Sequence, residues 1–207
     1  MNIYSFGDKL SESLKHQEID KAILRRFFLS CARVDKTDIK DDIKGIDYVV
    51  RLKNGREIAV DVKRRGTGCS KFWKNGMPEL ALEIYSDLET EKPGWLFDGQ
   101  KQTDIVSFVF DPSDYVGSFA FSTALLQNAV RRHYSSWVAR YVPKIQRSHR
   151  NGQTWTSSCL IVPADVVVAG YNLEMCSGFI SPEFAEAVSH RLRDMAANDN
   201  EPKGEAG

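Results

Sequence analysis

The sequence predicts an α/β protein, a mixed central sheet containing an antiparallel hairpin and flanked by helices. Three observations predict it. Residues 45–65, "GIDYVVRLKNGREIAVDVKRR", carry two runs of period-2 alternation separated by Asn-Gly, the pattern of a β-hairpin. Ahead of it, "SFGDKLSESLKHQEIDKAILRRFFL" places Leu10, Leu14, Ile19, Ala22, Ile23, Phe27 and Phe28 near helical spacing. After it, strand-like and helix-like segments follow one another, which calls for a sheet covered by helices.

In chain order, the opening segment reads as one helix or two short ones, with Ser5 or Asp8 as cap. "RVDKTDIKDDIKG" reads as a polar linker to the hairpin. "ELALEIYSD" reads as the next strand, with Leu80, Leu82 and Ile84 on one face and Ala81, Glu83 and Tyr85 on the other, and "TEKPGW" as a turn. "DIVSFVFD" gives a further strand, and "STALLQNAVRRHYSSWVARY" a long helix that Ser122 can cap. "TWTSSCLIVPADVVVAG" gives a late strand bounded by Pro163. "SPEFAEAVSHRLRDMAA" gives a final helix with Ser181 as cap and Pro182 at its first position. The expected organisation is one domain over residues 1–196 and a disordered tail over 197–207.

The hairpin register can be tested on burial alone. A two-residue Asn54-Gly55 loop would pair Tyr48 with Asp61 and mix the apolar set of one strand with the polar set of the other. A three-residue loop, Lys53-Asn54-Gly55, with Gly55 left-handed, pairs Leu52 with Arg56, Val50 with Ile58 and Tyr48 with Val60. That register is expected. It also sets Asp47 opposite Asp61, with Lys63 on the same face.

The 207 residues are 42% hydrophobic and 27% charged, ordinary for a globular chain. No apolar run approaches the length needed to cross a bilayer, and the first residues lack the basic flank and apolar run of a signal peptide. The expectation is a cytoplasmic protein that does not engage a membrane. Cys31, Cys69, Cys159 and Cys176 lie far apart, without metal-ligand or disulfide-framework spacing. Net charge is zero, but the charges segregate. Residues 51–75 hold eight Lys and Arg against Glu57 and Asp61, whereas 78–114 hold nine acids against Lys92 and Lys101. Residues 115–164 contain no acid, and include Arg131, Arg132, Arg140, Lys144, Arg147 and Arg150. Two basic segments around an acidic one can build a polyanion-binding surface; solvated faces are the other reading.

Two opposed carboxylates on neighbouring strands, about 5 Å apart at Cβ, form a hard-oxygen site suited to Mg²⁺ or Mn²⁺. Such an ion polarises a phosphoryl oxygen and acidifies water, and a lysine on the same face can orient that water or stabilise developing charge. The chemistry that follows is metal-assisted phosphodiester hydrolysis. The competing reading of Asp47, Asp61 and Lys63 is a solvated sheet face carrying an Asp–Lys pair.

Asp47, a short hairpin and then Asp61-Val62-Lys63 resemble the core signature of the PD-(D/E)XK nuclease superfamily, of restriction-endonuclease-like fold. The resemblance covers roughly residues 5–110, and Ile46 stands where the named motif has proline. It implies that Asp47 and Asp61 bind Mg²⁺ or Mn²⁺, that Lys63 activates or positions water, and that a first-helix acid, best matched by Glu12, joins both metal and catalysis. From its place in the next strand, Glu83 is a further candidate metal ligand. Arg64, Arg65, Arg131, Arg132, Lys144, Arg147 and Arg150 are the candidate nucleic-acid contacts. The expected activity is DNA hydrolysis, with RNA as a second candidate substrate and a homodimer as a candidate assembly. The alternative is a catalytically inactive module of the same fold that binds DNA or a partner protein. No nucleophile-elbow context surrounds Ser157 or Ser158, which argues against a serine hydrolase.

Overall fold

A computed structural model describes residues 6–38, 41, 44–66, 68–73, 76–110, 118–150 and 153–177. It shows an α/β architecture of three helices and two sheets. The first sheet is mixed and five-stranded, in the order β1 (Cys31–Lys36), β2 (Tyr48–Leu52), β3 (Glu57–Arg65), β6 (Ile105–Phe110) and β7 (Ser118–Ser122). The second is antiparallel and four-stranded, in the order β5 (Lys92–Pro93), β4 (Glu79–Asp87), β9 (Gln153–Pro163) and β8 (Lys144–Arg150). The expected final helix over residues 181–197 and the tail fall outside the described residues.

Helix α1 (Phe6–Phe27) packs on one face of the first sheet because of a stripe at i, i+4 spacing. Leu24 in that stripe is fully buried against Val34, Tyr48, Val50 and Val60. One turn earlier stands Asp20, also buried, whose carboxylate accepts the Tyr48 hydroxyl at 3.0 Å and pairs with the Arg64 guanidinium. The even-numbered residues of β3 therefore face α1, and Asp61, Lys63 and Arg65 face away from it.

The hairpin has the register that burial requires. Tyr48 pairs with Val60, Val50 with Ile58 and Arg51 with Glu57, and the Leu52 N–H donates to the Arg56 carbonyl at 2.8 Å. Gly55 sits at φ 83°, the left-handed position that closes a three-residue loop at little steric cost.

Beyond the hairpin the chain leaves the expected meander. The stretch expected to be linker opens inside β1, an edge strand whose Arg33 and Asp35 point outward and ion-pair. β4 does not lie beside β3: it pairs with β5 and β9 in the second sheet. The neighbour of β3 is β6, parallel to it, with Asp61 beside Val106 and Lys63 beside Phe108. A parallel pair needs a long crossover, and here residues 66–104 supply it through β4 and β5 rather than through a helix alone.

The main core fills the space among the second sheet, the Phe108 face of the first, and helices α2 (Thr123–Arg140) and α3 (Ala164–Ser177). Leu80, Leu82, Leu160 and Val162 meet Phe108, Phe110, Leu126, Val130 and Val167 there, all fully or almost fully buried. Ser122 precedes α2 as expected but makes no side-chain cap; its N–H donates to the Tyr171 hydroxyl of α3 at 3.0 Å. Among the described residues, no helix is long and apolar enough to cross a membrane.

Candidate functional site

Asp47 lies one residue before β2, where that strand parts from β3. Its N–H still donates to the Val60 carbonyl at 2.9 Å, while its Oδ2 accepts the Val62 N–H at 2.8 Å. The side chain thus takes over a ladder bond that β2 no longer reaches. Lys36 of β1 reaches Asp47 Oδ1 at 3.0 Å and places its ammonium 4.7 Å from the Tyr48 ring centroid. Asp61 follows Val60, the residue paired with Tyr48, and its carboxyl group is near enough to that of Asp47 for the two to interact electrostatically.

Lys63 completes the group. Its Nζ lies 2.7 Å from Asp61 Oδ2 and 4.9 Å from the Trp95 ring centroid. Trp95 is held by its own N–H, which donates to Glu83 Oε2 at 3.1 Å, and by edge-on packing of its ring against Phe108. The turn carrying Trp95 approaches β4 at Gly94, whose N–H donates to the Ile84 carbonyl; a Cβ there would lie 2.2 Å from the Glu83 carbonyl oxygen.

The two carboxyl groups are driven apart electrostatically. Asp61 is 5% exposed, and this burial pushes its pKa up to about 6 despite Lys63, with Asp47 adding to the rise. Burial acts on Asp47 in the same direction, but the Val62 N–H, Lys36 and Lys63 outweigh it and hold Asp47 below the usual carboxylate range. Near neutrality the pair holds one secure negative charge and one that a proton or cation readily compensates.

Lys63, but neither Asp47 nor Asp61, lines a cleft of about 480 Å³, together with Arg65, Glu83, Trp95, Phe108 and Cys159, among others. Glu83 therefore approaches from the second sheet, across the cleft, and not from a strand beside β3. A second cavity of about 390 Å³ adjoins it, with Arg65 in both linings and Cys69, Trp73, Lys144 and Ile161 further along. Burial raises the Cys159 thiol to about 11, with Glu83 reinforcing the effect, so this cysteine stays protonated at neutral pH.

The other expected residues separate. Glu12 belongs to α1, whose described side chains pack on the face opposite Asp61; its own side chain lies outside the described residues. Arg64 is directed at α1 and committed to Asp20. Arg131 stacks its guanidinium over Phe97 at 5.4 Å, and Arg132 pairs with Glu174 of α3 at 2.8 Å. Lys144 lines the second cavity, Arg147 is exposed on β8, and the Arg150 side chain lies outside the described residues. Lys36 and Trp95 are the contributors that pattern reading leaves out. Lys36 sits on an edge strand whose charges read as linker, and Trp95 reads as core edge because its neighbours are Pro, Gly and Leu.

Among the described residues, no group of three or more His, Cys, Asp or Glu side chains gathers to hold a metal ion. Two carboxylates are still a fitting donor set for Mg²⁺ or Mn²⁺, which commonly keep several waters and take only one or two protein carboxylates. Comparison of the chain with protein-family models, curated proteins and solved structures gives no significant match.

Proposed function

We propose that this chain is a metal-dependent nuclease that hydrolyses DNA phosphodiester bonds, with a fold of the PD-(D/E)XK type. The observation that carries the reading is the convergence of Asp47, Asp61 and Lys63 where the hairpin opens, against a cleft lined by basic residues. The order of helix, hairpin and a parallel strand beside the Asp61 strand supports it.

Asp47 and Asp61 would hold Mg²⁺ or Mn²⁺. When bound, the ion polarises a phosphoryl oxygen and lowers the pKa of water. The rest is the work of the chain. Lys36 and the Val62 N–H keep Asp47 ionised and fixed in place. Asp61, which ionises near pH 6, is mainly a carboxylate at neutral pH and would be ready to act as a ligand. Lys63 would present N–H donors to the attacking water or to the charge developing on the phosphoryl group. Trp95 limits where that ammonium can go.

One observation favours an inactive binding module instead: each carboxylate is already paired with a lysine, Lys36 with Asp47 and Lys63 with Asp61. Incubation with supercoiled plasmid in Mn²⁺ and in EDTA separates the two. The nuclease reading expects Mn²⁺-dependent nicking that falls at least about 100-fold in Asp61→Asn and in Lys63→Ala, with Lys63→Ala retaining metal binding. Plasmid binding that is equal in EDTA, with no nicking by wild type, would leave the binding module standing.

A further inference from the structure

The two cavities share more than Arg65. Ala81, Glu83, Cys159, Ile161, Lys144 and Gln146 come from one face of the second sheet, the side opposite its buried leucines. They form a continuous floor, and β3 overhangs it with Lys63 and Arg65. Trp95 lines one cavity and Trp73 the other, each half-buried and packed edge-on against a core phenylalanine, Phe108 and Phe110 respectively. Leaving aside Arg64, which is tied to Asp20, the linings carry Lys63, Arg65, Lys92, Lys101 and Lys144 against Glu79, Glu83 and Asp98. Of these acids, Glu79 is buried and Glu83 spends an oxygen on the Trp95 N–H.

We infer that this groove takes a single polynucleotide strand, its phosphates tracking Lys63, Arg65 and Lys144 and its bases packing against Trp95 and Trp73. The inference names the substrate form for the proposed nuclease and rests on that reading. Aromatic side chains interleaved with cations along a narrow groove are what an unstacked strand needs, because every base offers a π-face whatever its sequence. A duplex keeps its bases stacked on one another and offers these tryptophans nothing. Asp61 is almost fully buried, and of the three site residues it is its partner Lys63 that lines the cleft. A cleft of several hundred Å³ is the scale of one or two nucleotides' worth of ligand, not of a double helix.

Fluorescence anisotropy with a labelled oligothymidylate and with a duplex of equal length, both in EDTA, tests this on the full chain. The single strand is expected to bind at least about tenfold more tightly than the duplex. Arg65→Ala is expected to weaken single-strand binding about tenfold and to lower the salt slope by about 0.7, the loss of one phosphate contact. Lys144→Ala, on the exposed edge strand and safe for folding, is expected to weaken it about threefold. Arg51→Ala, at the far end of β2, is expected to change nothing. Duplex binding as tight as single-strand binding, or full affinity in both Arg65→Ala and Lys144→Ala, overturns the inference. If the protein then still nicks plasmid with Mn²⁺, the nuclease reading survives that failure; if it neither binds nucleic acid nor nicks, both fall.

Discussion

Asp61→Asn should make this protein more stable at neutral pH and disable it at the same time. In the folded chain Asp61 ionises near pH 6, against an ordinary value of 3.8. Between those values the folded state holds a proton that the unfolded chain has released, so stability falls as pH rises through the interval. The gap of about two pH units, at 1.36 kcal/mol per unit, makes an ionised Asp61 cost about 3 kcal/mol above pH 6, and nothing below pH 4 where both states are protonated. Asparagine keeps the shape of the protonated acid and cannot ionise. Lys63 loses its charged partner in the variant, but that attraction is already contained in the folded pKa, and the ammonium reaches solvent. The net expectation is a gain of about 3 kcal/mol at pH 7.5 that shrinks progressively towards pH 4. Urea unfolding of both proteins at several pH values measures it, and other titrating groups largely cancel in the difference. A stability difference that stays flat with pH, or a variant less stable at pH 7.5, would refute the reasoning.

Three further outcomes follow from the same geometry. Mn²⁺ affinity should be level above pH 6 and fall about tenfold per pH unit below it, because the ion competes with the Asp61 proton; isothermal titration across pH 5–8 shows whether it does. Gly94→Ala puts a methyl group into the Glu83 carbonyl and should cost about 3 kcal/mol or more in urea unfolding, whereas an effect below about 1 kcal/mol would mean that the turn tolerates the shift. Asp20→Ala strands the Arg64 guanidinium and the Tyr48 hydroxyl beneath the sheet and should destabilise by about 3 kcal/mol. Since Asp20 lies on the opposite face from Asp61, Mn²⁺ affinity of the folded variant should be unchanged, and a loss would show that α1 helps set the metal site.

The hairpin was legible because its pattern leaves one consistent solution. Only the three-residue loop keeps Tyr48, Val50, Ile58 and Val60 on one face, and that choice alone brings Asp47 to Asp61. What lay outside the reach of periodicity was partnership. "ELALEIYSD" reads as a strand in either sheet, and nothing in its alternation says that β3 would pair in parallel with β6 while β4 crossed to β9. The alternation puts Glu83 on the less apolar face of its strand, yet it reaches the cleft from the opposite wall. β1 is hidden in the sequence because an edge strand that points Arg33 and Asp35 at solvent looks like linker. Helix α3 was hidden by Val166-Val167-Val168, a β-branched run that favours strand; its signal was the spacing of Ala164, Val167, Gly170 and Glu174, all buried on one side. Cations were harder still. Arg64 and Lys63 are adjacent in the sequence, but the strand sends one under the sheet to Asp20 and the other to Asp61, so a count of positive charges cannot tell a structural tie from a site residue.

Calorimetric titration of Mn²⁺ into wild type and Asp61→Asn at pH 7.5, with the same samples then given plasmid, bears most directly on the Asp47–Asp61–Lys63 site. Metal binding by the wild type, lost in the variant together with nicking while the variant remains folded, is the predicted result. A wild type that binds no Mn²⁺, or an Asp61→Asn protein that binds and nicks as well as wild type, would show that this face of the hairpin serves the sheet and not phosphodiester chemistry.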